Sequence, residues 1–194
     1  MNNQILVIPG ITDAPTLACI ARSRKYGQYC KAVADALAGA CPFCNPDPTY
    51  NVPVEVGSAV RMRVQHCRPP EKNTRLHFLI IPRQHVKSIT SLSDEEWLEV
   101  QHIIFELGAK FGFEFSGILI RNGDATQSAG TIQHLHIHVM IPDGTGRVES
   151  PFCKTPEEEA AGVARAIVFE KMRQGMPFES LSLDEQALVK DRLA

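Results

Sequence analysis

From Gln133 to Pro142 the chain alternates polar and apolar residues: Gln133-His134-Leu135-His136-Ile137-His138-Val139-Met140-Ile141-Pro142. A period of two is the period of a strand, so His134, His136 and His138 share one face and Leu135, Ile137 and Val139 the other. Same-face neighbours lie about 7 Å apart along a strand. The pattern predicts three imidazoles lined up on a surface whose reverse is apolar core. Val60-Arg61-Met62-Arg63-Val64 alternates apolar and basic residues, as a half-exposed strand does. Leu76 to Ile81 is apolar except for His77, which predicts a buried strand with one polar insertion, and Ile118-Leu119-Ile120 predicts another strand. Ile5-Leu6-Val7-Ile8 reads as a short strand stopped by Pro9-Gly10.

Helical spacing appears elsewhere. Tyr29, Val33 and Leu37 recur at helical intervals between Tyr26 and Ala40, with Gly39 closing the segment. Ser93-Asp94-Glu95-Glu96 is a capping box with acidic first-turn residues that suit the helix dipole. The helix it opens carries Trp97, Val100, Ile104 and Leu107 on one side and ends at Gly108 or Gly112. Thr155-Pro156-Glu157-Glu158 is a second box, with Pro in the first turn, opening a helix to about Arg173. Ser182-Leu183-Asp184-Glu185 opens a short last one. Cys41 to Tyr50, Arg68 to Thr74 and the Gly-, Ser- and Thr-rich run from Asn122 to Thr131 read as loops. Strand, strand, long helix, strand, strand predicts an α+β fold with hairpin-type antiparallel pairing.

The chain has 194 residues, enough for one well-buried core plus extensions. Apolar content of 44% and charged content of 22% are those of an ordinary globular protein. A net charge of −2 argues against a general nucleic-acid or membrane-surface binder. No run reaches transmembrane length, and the first nine residues lack the basic start of a secretory signal. Six cysteines without such a signal point to reduced thiols and a cytoplasmic enzyme. Cys41-Pro42-Phe43-Cys44 supplies either a metal-ligand pair or a redox pair. Cys19, Cys30, Cys67 and Cys153 read as ordinary buried or half-buried thiols.

Histidine is a poor choice for a merely solvated strand face and a good one for a nucleophile, a proton shuttle or a metal ligand. A neutral imidazole, with an unperturbed pKa of about 6.5, is largely deprotonated at neutral pH and can attack phosphorus without a separate base. A working metal shared by His134, His136 and His138 is disfavoured. The outer two lie about 13 Å apart in an extended strand, against metal–nitrogen bonds near 2 Å.

His134-Leu135-His136-Ile137-His138-Val139-Met140 resembles the histidine triad (HIT) signature. Leu76-His77-Phe78-Leu79-Ile80-Ile81-Pro82-Arg83-Gln84-His85 resembles that family's second marker, and Cys41-Pro42-Phe43-Cys44 the Cys-x-x-Cys of many bacterial members. The resemblance implies a HIT-like fold, a curved antiparallel sheet with a long helix, here with extra helices at both termini. It places a HIT domain at residues 41–142, an N-terminal extension at 1–40 and a C-terminal helical extension at 143–194. It implies His136 as the nucleophile, its other ring N–H held by a backbone carbonyl of the same strand. His138 would bind phosphate oxygens or protonate the leaving group, and His77 would complete the cluster. Asn122, Ser128, Gly130 and Thr131, with His138, would form the phosphate and nucleotide site. There Gly130 and Ala129 depart from the commoner Gly-Gln-Ser/Thr pattern.

For Cys41, Cys44, His85 and His134 the resemblance implies a structural zinc, with His66 a rival ligand. Pro69 stands where relatives place a ribose-binding Asp or Asn, and Gln65 is the available substitute. The activity implied is a nucleotide hydrolase that cleaves a phosphoramidate or phosphoanhydride bond at a nucleoside α-phosphate through a nucleotidyl-histidine, in a homodimer. The partner implied is a nucleotide or nucleotide conjugate, without nucleic acid or membrane. Two alternatives stay open: a nucleotidyltransferase or phosphorylase of the same superfamily, which commonly has Gln for the third His, and a non-catalytic nucleotide-binding module.

Overall fold

In a computed structural model, residues 5–47, 51–128, 130–150 and 154–193 are described. Tyr50, Ala129 and Cys153 lie outside them. The chain divides into two compact units. Met1–Cys41, Asp124–Gln133 and Cys153–Ala194 form a helical unit, and Pro42–Gly123 with His134–Phe152 form a sheet unit.

The sheet unit has four strands: β1 (Met62–His66), β2 (Thr74–Pro82), β3 (Gly117–Ile120) and β4 (Ile137–Pro142). Their order is β1-β2-β4-β3, antiparallel throughout. Met62, Val64, Phe78, Ile80, Ile137, Val139 and Ile141 point to one face and bury it against a helix, through Val100, Ile103 and Leu107. Alternation then assigns His77 and His138 to the opposite face.

That helix, α1 (Asp94–Phe111), starts at the predicted Ser93–Glu96 capping box and ends at Gly112, whose φ of 66° is a left-handed cap. Its buried stripe differs from the expected one. Val100, Ile103 and Leu107 carry it together with Glu99, Ile104 is half-buried, and Trp97 is 49% exposed. Trp97 sits roughly 100° around the helix from the middle of that stripe. The buried Glu99 carboxylate accepts the main-chain N–H groups of Arg61 and Met62, each at 2.8 Å. One turn pair further on, Glu106 accepts those of Gly57 and Ser58. Because Glu99 holds the amides at 61 and 62, β1 runs from Met62 to His66 rather than over 60–64, and Val60 is exposed.

In the helical unit, α2 (Ala14–Ala21), α3 (Tyr26–Leu37), the single turn α4 (Ala125–Ser128), α5 (Pro156–Arg173) and α6 (Leu183–Val189) pack around Ile20, Tyr29, Val33, Phe169, Leu181 and Val189. The capping boxes at Thr155 and Ser182 are both formed. Residues 5–8 form no strand. Leu6 and Ile8 are buried and Ile5 and Val7 exposed, as in a strand, yet among the described residues one bridge from Ile8 to Ile11 is the only pairing seen. The apolar partners of Leu6 and Ile8 are helices, so the alternation is satisfied without a sheet. The first residues of the His-rich run are also outside the ladder: regular pairing begins at Ile137, and His134 to His136 lead into it.

Candidate active site and metal cluster

β2 and β4 set the geometry. His77 pairs with Met140 and Leu79 with His138, so His77 and His138 are diagonal neighbours on the face away from α1. Their rings meet edge to edge, His77 Nε2 to His138 Nδ1, at 2.8 Å. His77 Nδ1 accepts the main-chain N–H of Glu71 at 3.0 Å. His138 Nε2 is buried and has no hydrogen-bond partner among the described residues. Burial, then the neighbouring His136, lowers the pKa of His77 to about 4 and that of His138 to about 2. Both rings are neutral at pH 7.

His136 Nδ1–H donates to the carbonyl of His134 at 2.7 Å. An imidazole protonated at Nδ1 carries its lone pair on Nε2. This ring is not laid on an open surface as the alternation alone suggests. His136 is 6% exposed and His134 2%, because Phe43 of the Cys-Pro-Phe-Cys loop stands edge-on to both, at centroid distances of 5.2 and 5.8 Å. Burial is also the main reason the His136 pKa falls.

His134 turns a different nitrogen outward. Its Nε2–H donates to the Pro82 carbonyl at 2.9 Å, leaving Nδ1 to face Cys44 Sγ at 3.6 Å. His85 Nδ1 lies 3.3 Å from the same sulfur. Burial lowers the His134 pKa to about 4. Cys44, His85 and His134 thus bring one ligand atom each within 4.8 Å of one another, a set that can hold a metal ion. Cys41, three positions before Cys44 in the chain, is grouped with them as a fourth candidate. A single ion shared by His134, His136 and His138 does not fit, since His134 Nδ1 faces Cys44 and His136 Nδ1 is engaged by a carbonyl. His66 does not compete as a ligand: its ring packs against Phe78 and Phe111.

Of the expected phosphate-binding residues, Asn122 is in the sheet unit, exposed, with Oδ1 accepting the Ile89 N–H at 2.8 Å. Ser128, Gly130 and Thr131 belong to the helical unit. Ser128 ends the α4 turn half-buried, Thr131 is exposed, and Gly130 is buried. Within that unit the 3%-exposed Arg22 gathers the segment. Its guanidinium donates to the carbonyls of Ala125 and Gly130 and pairs with Glu159 at the start of α5. The Cys19 thiol donates to the same Gly130 carbonyl. Gln65, the candidate ribose ligand, is buried, with Nε2 donating to Asn51 Oδ1 at 2.8 Å. It borders a cavity of about 290 Å³ that Arg63 and Arg83 also line.

Sequence reasoning passed over four of these residues. Phe43 was legible as the one large apolar residue inside the Cys pair. Cys67, classed as an ordinary thiol, donates its main-chain N–H to the His77 carbonyl and places its sulfur within 4.8 Å of ring nitrogens of His77 and His138. Arg22 and Glu71 act on or through main-chain atoms and leave no side-chain motif. Among the described residues, no helix is long and apolar enough to cross a membrane.

Comparison with known proteins bears on residues 68–145, which match the family model for the HIT domain. HIT-like proteins from two strains of Helicobacter pylori are 25% identical over 69 residues, 36% of this chain. The chain spans 66% of the length of these relatives. A histidine triad protein from Clostridium difficile is similar in structure, with 23% identity, 56% of this chain and 96% of that one covered, and a TM-score of 0.42. A histidine triad nucleotide-binding protein from Candida albicans gives 17% identity, 70% and 96% coverage and a TM-score of 0.45. The stretch that carries His77, His85 and the three alternating histidines is thus similar to a HIT domain.

Proposed function

We propose that this protein is a nucleotide hydrolase that cleaves a phosphoramidate or phosphoanhydride bond at a nucleoside α-phosphate. The observation that carries the reading is the His136 tautomer. With Nδ1–H spent on the His134 carbonyl, Nε2 is a lone-pair nucleophile that needs no deprotonation. Nε2 attacks the α-phosphorus and a P–N₍His₎ bond forms. The bond to the leaving group breaks, and that group departs with the electron pair and takes a proton from solvent. Water then attacks the same phosphorus and releases a proton to solvent, the P–N₍His₎ bond breaks with its electron pair returning to Nε2, and the nucleoside monophosphate leaves with His136 restored.

The remaining residues hold the anion. His138 and His77 flank His136. Asn122 adds an amide. The third histidine, where transferase relatives carry Gln, favours water as the acceptor.

Zinc is the cation we assign to the Cys/His cluster, with Cys44, His85, His134 and Cys41 as ligands and a structural role. Tetrahedral zinc with Zn–S near 2.3 Å and Zn–N near 2.05 Å separates neighbouring S and N ligands by about 3.5 Å. The Cys44 sulfur stands 3.3 and 3.6 Å from the two imidazole nitrogens. Pro82 supplies the carbonyl that orients a metal-bound imidazole from behind.

A homodimer completes the reading. Trp97, Leu98 and Phe105 form a second, exposed apolar stripe on α1, Ile118 is exposed on β3, the free edge strand of the sheet, and Phe115 is exposed just before it.

The test is brief exposure to an adenosine phosphoramidate followed by peptide mass spectrometry, with water, phosphate or a sugar phosphate as acceptor. An AMP adduct on His136 and release of AMP to water are expected. Binding of AMP with neither adduct nor turnover identifies a non-catalytic module, and turnover only with an added acceptor identifies a transferase.

A further inference from the structure

The hydrogen bonds around His77 and His138 have a direction that one main-chain group determines. A backbone N–H can only donate, so His77 Nδ1, 3.0 Å from the Glu71 nitrogen, must accept. A neutral imidazole has one donor and one acceptor nitrogen, so the His77 proton is on Nε2. That proton points at His138 Nδ1, 2.8 Å away, which therefore accepts. The His138 proton is then on Nε2, the buried nitrogen that meets no acceptor among the described residues.

We propose that Glu71, through its main-chain N–H, is a positioning residue that fixes His138 as a standing Nε2–H donor to a phosphoryl oxygen, and that the His77–His138 pair shuttles no proton. This rests on the hydrolase reading and narrows it, because it decides between the two roles open to His138. For His138 to release its Nε2 proton and be refilled from behind, His77 would have to give up Nε2–H. Its own refill would then have to come from an amide N–H, which does not ionise in the neutral range. The chain of hydrogen bonds ends at Glu71. A donor of that kind acts as an oxyanion-hole donor does, by meeting charge that builds on the phosphoryl oxygens without reorienting. The lowered pKa values of both rings keep the arrangement neutral, with one proton per ring.

Loss of the Glu71 N–H frees His77 to carry its proton on Nδ1. His77 Nε2 then accepts from His138 Nδ1–H, and His138 presents a lone pair to the phosphate. The Glu71 carboxylate plays no part in this, which separates two variants. Glu71→Ala keeps the N–H, whereas Glu71→Pro removes it.

The experiment reads imidazole tautomers by long-range ¹H–¹⁵N correlation in the full chain, and turnover of adenosine phosphoramidate beside it. Wild type and Glu71→Ala are expected to show His138 protonated at Nε2, with turnover equal within about twofold. Glu71→Pro is expected to show mixed tautomers at His77 and His138 and to lose on the order of 10²-fold in kcat, the effect of removing one such donor. His138 protonated at Nδ1 in the wild type overturns the proposal whether or not Glu71→Pro folds. So does a Glu71→Ala variant as impaired as Glu71→Pro. If wild type shows the expected tautomers and turns nothing over, the hydrolase reading fails and the positioning by Glu71 stands.

Discussion

Two clusters in the sheet unit have nearly the same composition. Cys44, His85 and His134 bring a thiol and two imidazoles within 4.8 Å of one another, and so do Cys67, His77 and His138. What separates them is the main-chain atom behind one ring in each. Behind His134 stands a carbonyl, which takes the ring proton and turns a lone pair toward the cysteine. Behind His77 stands an N–H, which takes the lone pair and turns a proton toward His138. The first arrangement could hold a cation, and the second is the one we propose for an anion. His136, between them in sequence, has a carbonyl on Nδ1 and so keeps a lone pair at Nε2. The backbone therefore assigns different chemistry to three chemically identical side chains, and the difference can be broken one ring at a time.

The largest effect is expected at the ring that belongs to neither cluster. His136→Gln removes the nucleophile and should lower turnover of an adenosine phosphoramidate on the order of 10⁴-fold or more, with zinc content and thermal midpoint unchanged. Loss of folding together with activity would show that His136 is structural. Next comes the cation end. Cys44→Ser should release zinc and reduce stability by several kcal/mol, since binding energy at a structural zinc is folding energy. Turnover per folded molecule should stay within about tenfold of wild type. Urea unfolding with a zinc assay on the same samples checks this. A Cys44→Ser protein of normal stability and normal zinc content would end the structural-zinc assignment.

How much of this was readable in the chain depends on which atoms do the work. The three capping boxes are local contracts between a hydroxyl and a carboxylate three residues apart, and each forms where its sequence stands. The alternation placed His138 opposite the apolar face of β4, and the Cys-x-x-Cys with His85 and His134 named the group whose ligand atoms come together and could hold a metal ion. The failures have another origin. The start of β1 depends on Glu99, a helix carboxylate that is buried because it serves two strand amides, and nothing in a helix sequence distinguishes it from its solvated neighbours. Residues 5–8 have strand composition, but their partners are helices distant in sequence. Arg22 holds the Ala125 and Gly130 carbonyls, and Glu71 holds His77 by an amide that every residue but proline possesses. Side-chain chemistry was legible, and the main-chain groups that orient it were not.

A smaller effect tests the anion end through pH. The folded-state pKa of His77 is lowered by burial from 6.5 to about 4. Between those values the unfolded chain binds a proton that the folded one refuses. The neutral ring's contribution is therefore complete above about pH 6.5 and is lost as pH falls toward 4, by up to about 3 kcal/mol. His77→Asn cannot titrate. Its urea midpoint should fall less steeply than that of the wild type over this window, and the difference between the two curves cancels zinc loss common to both. Parallel curves would mean that His77 is solvated enough to protonate normally, and the neutral pair would not exist.

The smallest expected effect is none, and it bears most directly on what distinguishes the two clusters. Cys67→Ser deletes the sulfur beside His77 and His138. By composition alone this group is as good a ligand set as Cys44, His85 and His134, and soft cations bind such sets readily. Its tautomers oppose binding. A metal at His77 Nε2 needs a lone pair there, which requires a proton on Nδ1, where the Glu71 N–H already points. Zinc stoichiometry measured against a competing chelator should therefore be the same in Cys67→Ser and wild type, with affinity equal within about twofold. Loss of one equivalent, or a tenfold weakening of the size that a disturbed ligand shell produces, would show that the second cluster also takes a cation. The direction of a single backbone hydrogen bond would then be too weak to decide between a metal site and a phosphate site.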